Sequence, residues 1–92
     1  MNIRMGFSAA LKRVRKERKL TQEDFSEISS RTYLSSLERG MKSPTLEKID
    51  QLASILNIHP VTLILLSYAA AEKRSTDILE DQIHKEVESL VR

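Results

Sequence analysis

A chain of 92 residues supports one small domain, and two glycines, two prolines and an abundance of Leu, Ile, Ala, Lys and Glu favour an all-helical one. With no cysteine it offers neither disulfides nor thiolate metal sites, which fits a reducing cytoplasm. The net charge of +2 conceals an asymmetry: residues 1–44 carry 10 Lys and Arg against 5 acids, and the remainder 5 against 8, so the charge that attracts polyanions lies in the first half.

The first helix is marked by Phe7, Leu11 and Val14 at helical spacing. Its run Lys12-Arg13-Val14-Arg15-Lys16 reads either as a solvated face or as a source of sequence-independent attraction to phosphates. The basic N-terminus lacks an apolar core and a small-residue cleavage site, so no secretion signal is expected. Next, Thr21 offers an N-cap hydroxyl, and Gln22, Glu23 and Asp24 follow where the helix dipole favours acids; with Phe25 and Ile28 inward, this predicts a short helix of about two turns.

Ser30 can cap the next helix, in which Leu34 and Leu37 face inward while Arg31, Thr32, Ser35, Ser36 and Arg39 remain outward; Gly40 stops it. An outward face of Arg, Thr and Ser differs from the usual alternation of Glu and Lys. Short hydroxyl side chains let a helix approach a surface closely, and Arg can bind guanine in a DNA major groove with two parallel hydrogen bonds. Composition alone leaves a plain polar surface helix equally open.

After the loop Met41-Lys42-Ser43-Pro44, Thr45 caps a helix with the apolar stripe Leu46, Ile49, Leu52, Ala53 and Leu56, and Glu47, Lys48, Asp50 and Gln51 outside. Pro60 suits the first position of the following helix, with His59 as its cap. Val61, Leu63, Ile64, Leu65 and Leu66 make that helix apolar around most of its circumference, so the face turned away from the core needs cover from a second subunit or from the C-terminal helix. That last helix, Ser75 to Arg92, is amphipathic, with Ile78, Leu79, Ile83, Val87 and Leu90 along one side and Ser75, Thr76 or Asp77 as cap. It is too short for a self-sufficient coiled coil, so it either closes its own core or binds a partner.

No stretch is long and apolar enough to span a bilayer; the longest, Pro60 to Ala71, is interrupted by Thr62, Ser67 and Tyr68. No Gly-rich phosphate loop, metal-ligand cluster or nucleophile with a base stands at interpretable spacing, so an enzyme, a cofactor and a metal are not expected. His59 and His84 lie far apart and read as surface or cap residues.

Three blocks resemble a known family: Leu20-Thr21-Gln22-Glu23, then Ser30 to Gly40 (SRTYLSSLERG), then Ser43-Pro44-Thr45-Leu46. They look like the helix-turn-helix of the lambda-repressor-like, or XRE, regulators, and the likeness runs from about Leu11 to Leu66. It implies an all-α fold, a compact bundle of five short helices containing the helix-turn-helix over residues 1–70; the C-terminal amphipathic helix, in 71–92, lies outside the likeness. It further implies a cytoplasmic, sequence-specific transcriptional regulator, a dimeric repressor on a near-palindromic stretch of double-stranded DNA.

Carried over by position, the resemblance makes Arg31, Thr32, Ser36 and Gln22 base-reading residues and Tyr33, Ser35, Arg39, Lys42, Ser43 and Thr45 contacts to the DNA backbone. It makes Arg15 and Glu38 a structural ion pair, where the residues alone leave Glu38 open as a free surface acid. The homodimer interface is expected at Leu63, Ile64, Leu66, Ile83 and Val87. One departure stands out: family members carry about two more residues between the motif helices. The shortened link Ile28-Ser29-Ser30 is expected to end the first motif helix early and to force an unusual backbone angle on Ser29 or Ser30. Two alternatives share the motif: an antitoxin-type protein whose C-terminal helix covers a protein partner, and a restriction-modification controller.

Overall fold

The computed structural model describes residues 1–92. It contains five α-helices, α1 (Ile3–Glu17), α2 (Arg31–Glu38), α3 (Leu46–Leu56), α4 (Pro60–Glu72) and α5 (Thr76–Val91), with a single 3₁₀ turn, Gln22–Phe25, between α1 and α2. The expected all-α class is observed.

Short-range chemistry fixes the helix starts. Asn2, Ser30, Thr45 and Ser75 accept from the N–H three residues on, at 2.9, 3.0, 3.1 and 3.3 Å, and His59 Nδ1 accepts from Val61 N–H at 3.0 Å, with Pro60 at the first helical position. Helix ends close through left-handed residues. At Gly40 (φ 72°) the Met41 N–H reaches back to Ser36 O at 3.0 Å and the Gly40 N–H to Leu37 O at 3.2 Å, the paired bonds of a Schellman ending. Lys19, Asn57 and Lys73 take the same conformation, with φ between 55° and 58°, at the ends of α1, α3 and α4.

Phe7, Ala10 and Leu11 of α1, Phe25 of the 3₁₀ turn, Leu34 and Leu37 of α2, Leu52 and Leu56 of α3, and Leu63 of α4 form one buried cluster. The longest helix–helix contact joins α1 to α4. Gly6 makes it possible: a Cβ there would overlap the Ser67 carbonyl oxygen and the Ala71 methyl. No single helix is long and apolar enough to cross a membrane.

Two expectations about the core are corrected. Leu46, assigned to the inward stripe of α3, is 75 % exposed, because it occupies the first position of the helix, on the rim of an open groove that it lines with Phe7 of α1 and Ile64 of α4. Leu63, assigned to a subunit interface, is fully buried in its own core. In a helix apolar all round, the pattern cannot say which residues turn inward.

The two-turn helix expected after Thr21 is also corrected, to one 3₁₀ turn. It does end early, as the shortened link requires, but Ser29 and Ser30 are not among the residues with positive φ, and Ser30 is extended (φ −68°, ψ 154°). The physical reason lies in the rise per residue, about 2.0 Å in a 3₁₀ helix against 1.5 Å in an α-helix. The tighter helix spans the gap with fewer residues, and the link stays unstrained. Ile28 N–H and Ser29 N–H both donate to Phe25 O at 3.0 Å, and Asp24 accepts the Thr21 N–H at 2.7 Å.

α5 packs on α4 through Leu79, while Ile78, Ile83, Val87 and Leu90 remain exposed.

Candidate nucleic-acid interface

Helix α2 is held against the body by its inward leucines and by a buried ion pair. Arg15, in the last turn of α1, points its guanidinium at the last residue of α2: Nε and Nη2 donate to Glu38 Oε2 and Oε1 at 2.5 and 2.9 Å, and Nη1 donates to Leu20 O at 2.9 Å. The two side chains are 12 % and 4 % exposed. The hydrogen bond to Glu38 raises the Arg15 pKa, burial opposes it, and the Glu38 charge adds to the rise. The arginine is therefore a fixed cation. Gln22 joins the pair, its Nε2 donating to Glu38 Oε1 at 3.4 Å, so three side chains distant in sequence lock α1, the 3₁₀ turn and α2 together.

This lock leaves the start of α2 facing water. Arg31 and Thr32 are exposed and adjacent, and Arg39 is exposed beyond the other end of the helix. Ser35 is half-buried. Ser36 is corrected from the outward face: it is 7 % exposed, and its hydroxyl donates to the Thr32 carbonyl one turn earlier at 3.0 Å. A short side chain bonded to its own helix does not extend toward a base edge.

The loop before α3 lies beside this end of α2. Lys42, Ser43 and Thr45 are exposed. Lys42 Nζ lies 5.4 Å from the centre of the half-buried Tyr33 ring, so the ring links the loop to α2 through a cation–π contact. A second ammonium, Lys48 Nζ of α3, lies 5.6 Å from the same ring and donates to the Ile28 carbonyl. Lys48 reads in the sequence as one polar position among several outside the apolar stripe. No local pattern signals a bond to a carbonyl twenty residues earlier.

Of the residues expected at a subunit interface, Ile83 and Val87 are exposed on α5, Ile64 and Leu66 are half-buried, and Leu63 is inside. A groove between α4 and α5 is lined by Val61, Leu65, Tyr68, Leu79 and Ile83.

With this geometry in view, comparison with known proteins is decisive for the family. The helix-turn-helix profile of the XRE type matches residues 11–63. The chain belongs to that family. It is 39 % identical over 66 residues to an uncharacterised HTH-type transcriptional regulator of Sinorhizobium fredii, covering 70 % of this chain and 86 % of that one. It is 34 % identical over 86 residues to an immunity repressor protein of Bacillus phage phi105, covering 87 % of this chain but 58 % of the repressor, which is therefore substantially longer than the matched part. No solved structure matches. The matched residues 11–63 include the 3₁₀ turn and α2.

Proposed function

We propose that this DNA-binding transcriptional regulator acts in the cytoplasm as a dimeric repressor of a near-palindromic operator, with Arg31 and Thr32 of α2 reading base edges. The observation that carries the reading is the free N-terminal end of α2, which presents an arginine and a threonine to solvent while a buried network fixes the helix behind them. Arg31 suits a guanine, to which it can donate twice, and Thr32 can bond an edge or touch a thymine methyl. Gln22, whose amide retains an acceptor and a second donor after bonding Glu38, stands where it can meet the end of a half-site.

Lys42, Ser43, Thr45, Tyr33, Ser35 and Arg39 surround the two readers and supply contacts to the phosphates, which give affinity and position without choosing a sequence. Ser36 has no part in the reading set. In the dimer, exposed Ile83 and Val87 with the edge of Ile64 are covered by the second subunit, and two α2 helices enter successive major grooves about 34 Å apart. A second reading rests on the same exposed stripe: a different protein covers α5 while α2 remains on DNA.

Selection from random duplex DNA, with the chain and an Arg31→Ala variant in parallel, tests the proposal. The expected product is an approximate palindrome with half-sites one helical turn apart. On it, Arg31→Ala costs about 1–3 kcal/mol and relaxes the choice at one base pair. Equal losses on selected and random DNA would reject base reading by Arg31, and a site with a single half would reject the dimer.

A further inference from the structure

We infer that Lys48 is a positioning residue, holding the first turn of α2 to α3 across the shortened link and so setting the angle at which Arg31 and Thr32 are presented. The inference rests on the proposed reading of DNA by α2 but is argued from contacts within the protein.

The shortened link creates a problem of backbone chemistry. Phe25 O receives the N–H groups of both Ile28 and Ser29, and the first carbonyl to enter the α2 ladder is Ser30 O, which accepts from Leu34 N–H at 3.0 Å. No backbone donor reaches the Ile28 carbonyl between them. In a partly buried position such a group needs a partner. Lys48 Nζ supplies it, from the first turn of a helix whose start is fixed by the Thr45 cap on Lys48's own N–H. The same ammonium lies against the Tyr33 ring, and the Tyr33 N–H donates to the Ser30 cap. One side chain therefore touches the link before α2 and the first turn of α2, and anchors both to α3. Lys42 shares the ring but has no such bond, so its ammonium remains available to a phosphate.

The experiment compares the full chain with Lys48→Met, which keeps the stem and removes the donor, Lys48→Arg, which restores a donor, and Lys42→Met. Amide hydrogen exchange of the free proteins reads the clasp, and binding to the selected site and to random DNA over a salt series reads its consequence. In Lys48→Met the Tyr33 and Leu34 amides are expected to exchange at least tenfold faster, with Leu63 unchanged. Preference for the selected site should fall about tenfold at an unaltered salt slope, and Lys48→Arg should recover both. Lys42→Met should instead weaken all DNA alike and lower the slope by about one.

Unchanged exchange in Lys48→Met, or no recovery in Lys48→Arg, would overturn the clasp. A uniform loss with a lowered slope would make Lys48 a phosphate contact. If the unaltered chain shows no sequence preference, the reading of DNA by α2 fails, while the exchange data still decide whether Lys48 holds the turn.

Discussion

Replacing Arg15 with methionine keeps most of the side-chain volume and removes the cation from a carboxylate that is 4 % exposed. Glu38 would then be left with one weak partner, Gln22 Nε2 at 3.4 Å, and the Leu20 carbonyl would lose its guanidinium donor. Breaking a buried pair from one side costs about 3–5 kcal/mol, because the remaining charge is uncompensated. Against the roughly 5–14 kcal/mol typical of a domain this size, that is about a fifth of the total or more. It corresponds to a fall of roughly 15–30 °C in Tm. The loss arises from the stranded charge more than from the bond, so removing both ends should recover most of it: Arg15→Met with Glu38→Leu is expected within about 1–2 kcal/mol of the unaltered chain. Thermal and urea unfolding followed by far-UV circular dichroism would measure the cycle. A single variant within about 1 kcal/mol of the parent, or a double variant less stable than the single, would refute the argument that each end of the buried pair depends on the other.

At Gly6, alanine would ordinarily stabilise a helix interior by about 1 kcal/mol. Here the added methyl meets the Ser67 backbone and Ala71, so Gly6→Ala is expected to destabilise by about 1–3 kcal/mol, and a gain in Tm would show that α1 and α4 are not in close contact at this point. On α5, Ile83 is exposed in the single chain, so Ile83→Asp should leave the Tm at high dilution nearly unchanged while abolishing the rise of Tm with protein concentration that the proposed dimer requires. A parent Tm independent of concentration would exclude coupling between α5 and self-association.

The features visible in the sequence were those whose causes are local. Ser30, Thr45, His59 and Ser75 cap the helices assigned to them because a cap needs only its own next three residues. Leu34 and Leu37 turned inward because two leucines at helical spacing on an otherwise polar helix leave no alternative. Other features depended on what lies opposite. Leu46 has the spacing of a core residue but sits on the open rim of a groove, and α4 offers no polar face from which the depth of Leu63 can be inferred. Ser36 was assigned by position, whereas a serine can satisfy its hydroxyl on the preceding turn and withdraw from the surface. The backbone strain assigned to Ser29 or Ser30 assumed an α-helix on the near side of the link. A 3₁₀ turn, longer for each residue, removed the need for it.

Arg31 occupies the first position of α2, where the positive end of the helix dipole disfavours a cation. The 3₁₀ turn and helices α3 and α5 place Glu23 and Asp24, Glu47, and Asp77 in their first turns, whereas α2, like α1 and α4, has no acid there. Arg31 also enters none of the protein's ion pairs, so nothing within the chain offsets the unfavourable placement. An anionic surface is a partner that would compensate this local cost, as the proposed role in reading DNA requires. The argument has a measurable consequence in the free protein. Arg31→Glu should raise stability at low salt by about 1 kcal/mol, twice the effect of adding one favourable charge at an exposed helix start, and the gain should shrink as salt screens it. The same change should abolish preference for the selected DNA, placing stability and binding in opposition at one residue. Loss of stability in Arg31→Glu would show that the arginine supports α2 itself, and its exposure would then no longer argue for a reader of DNA.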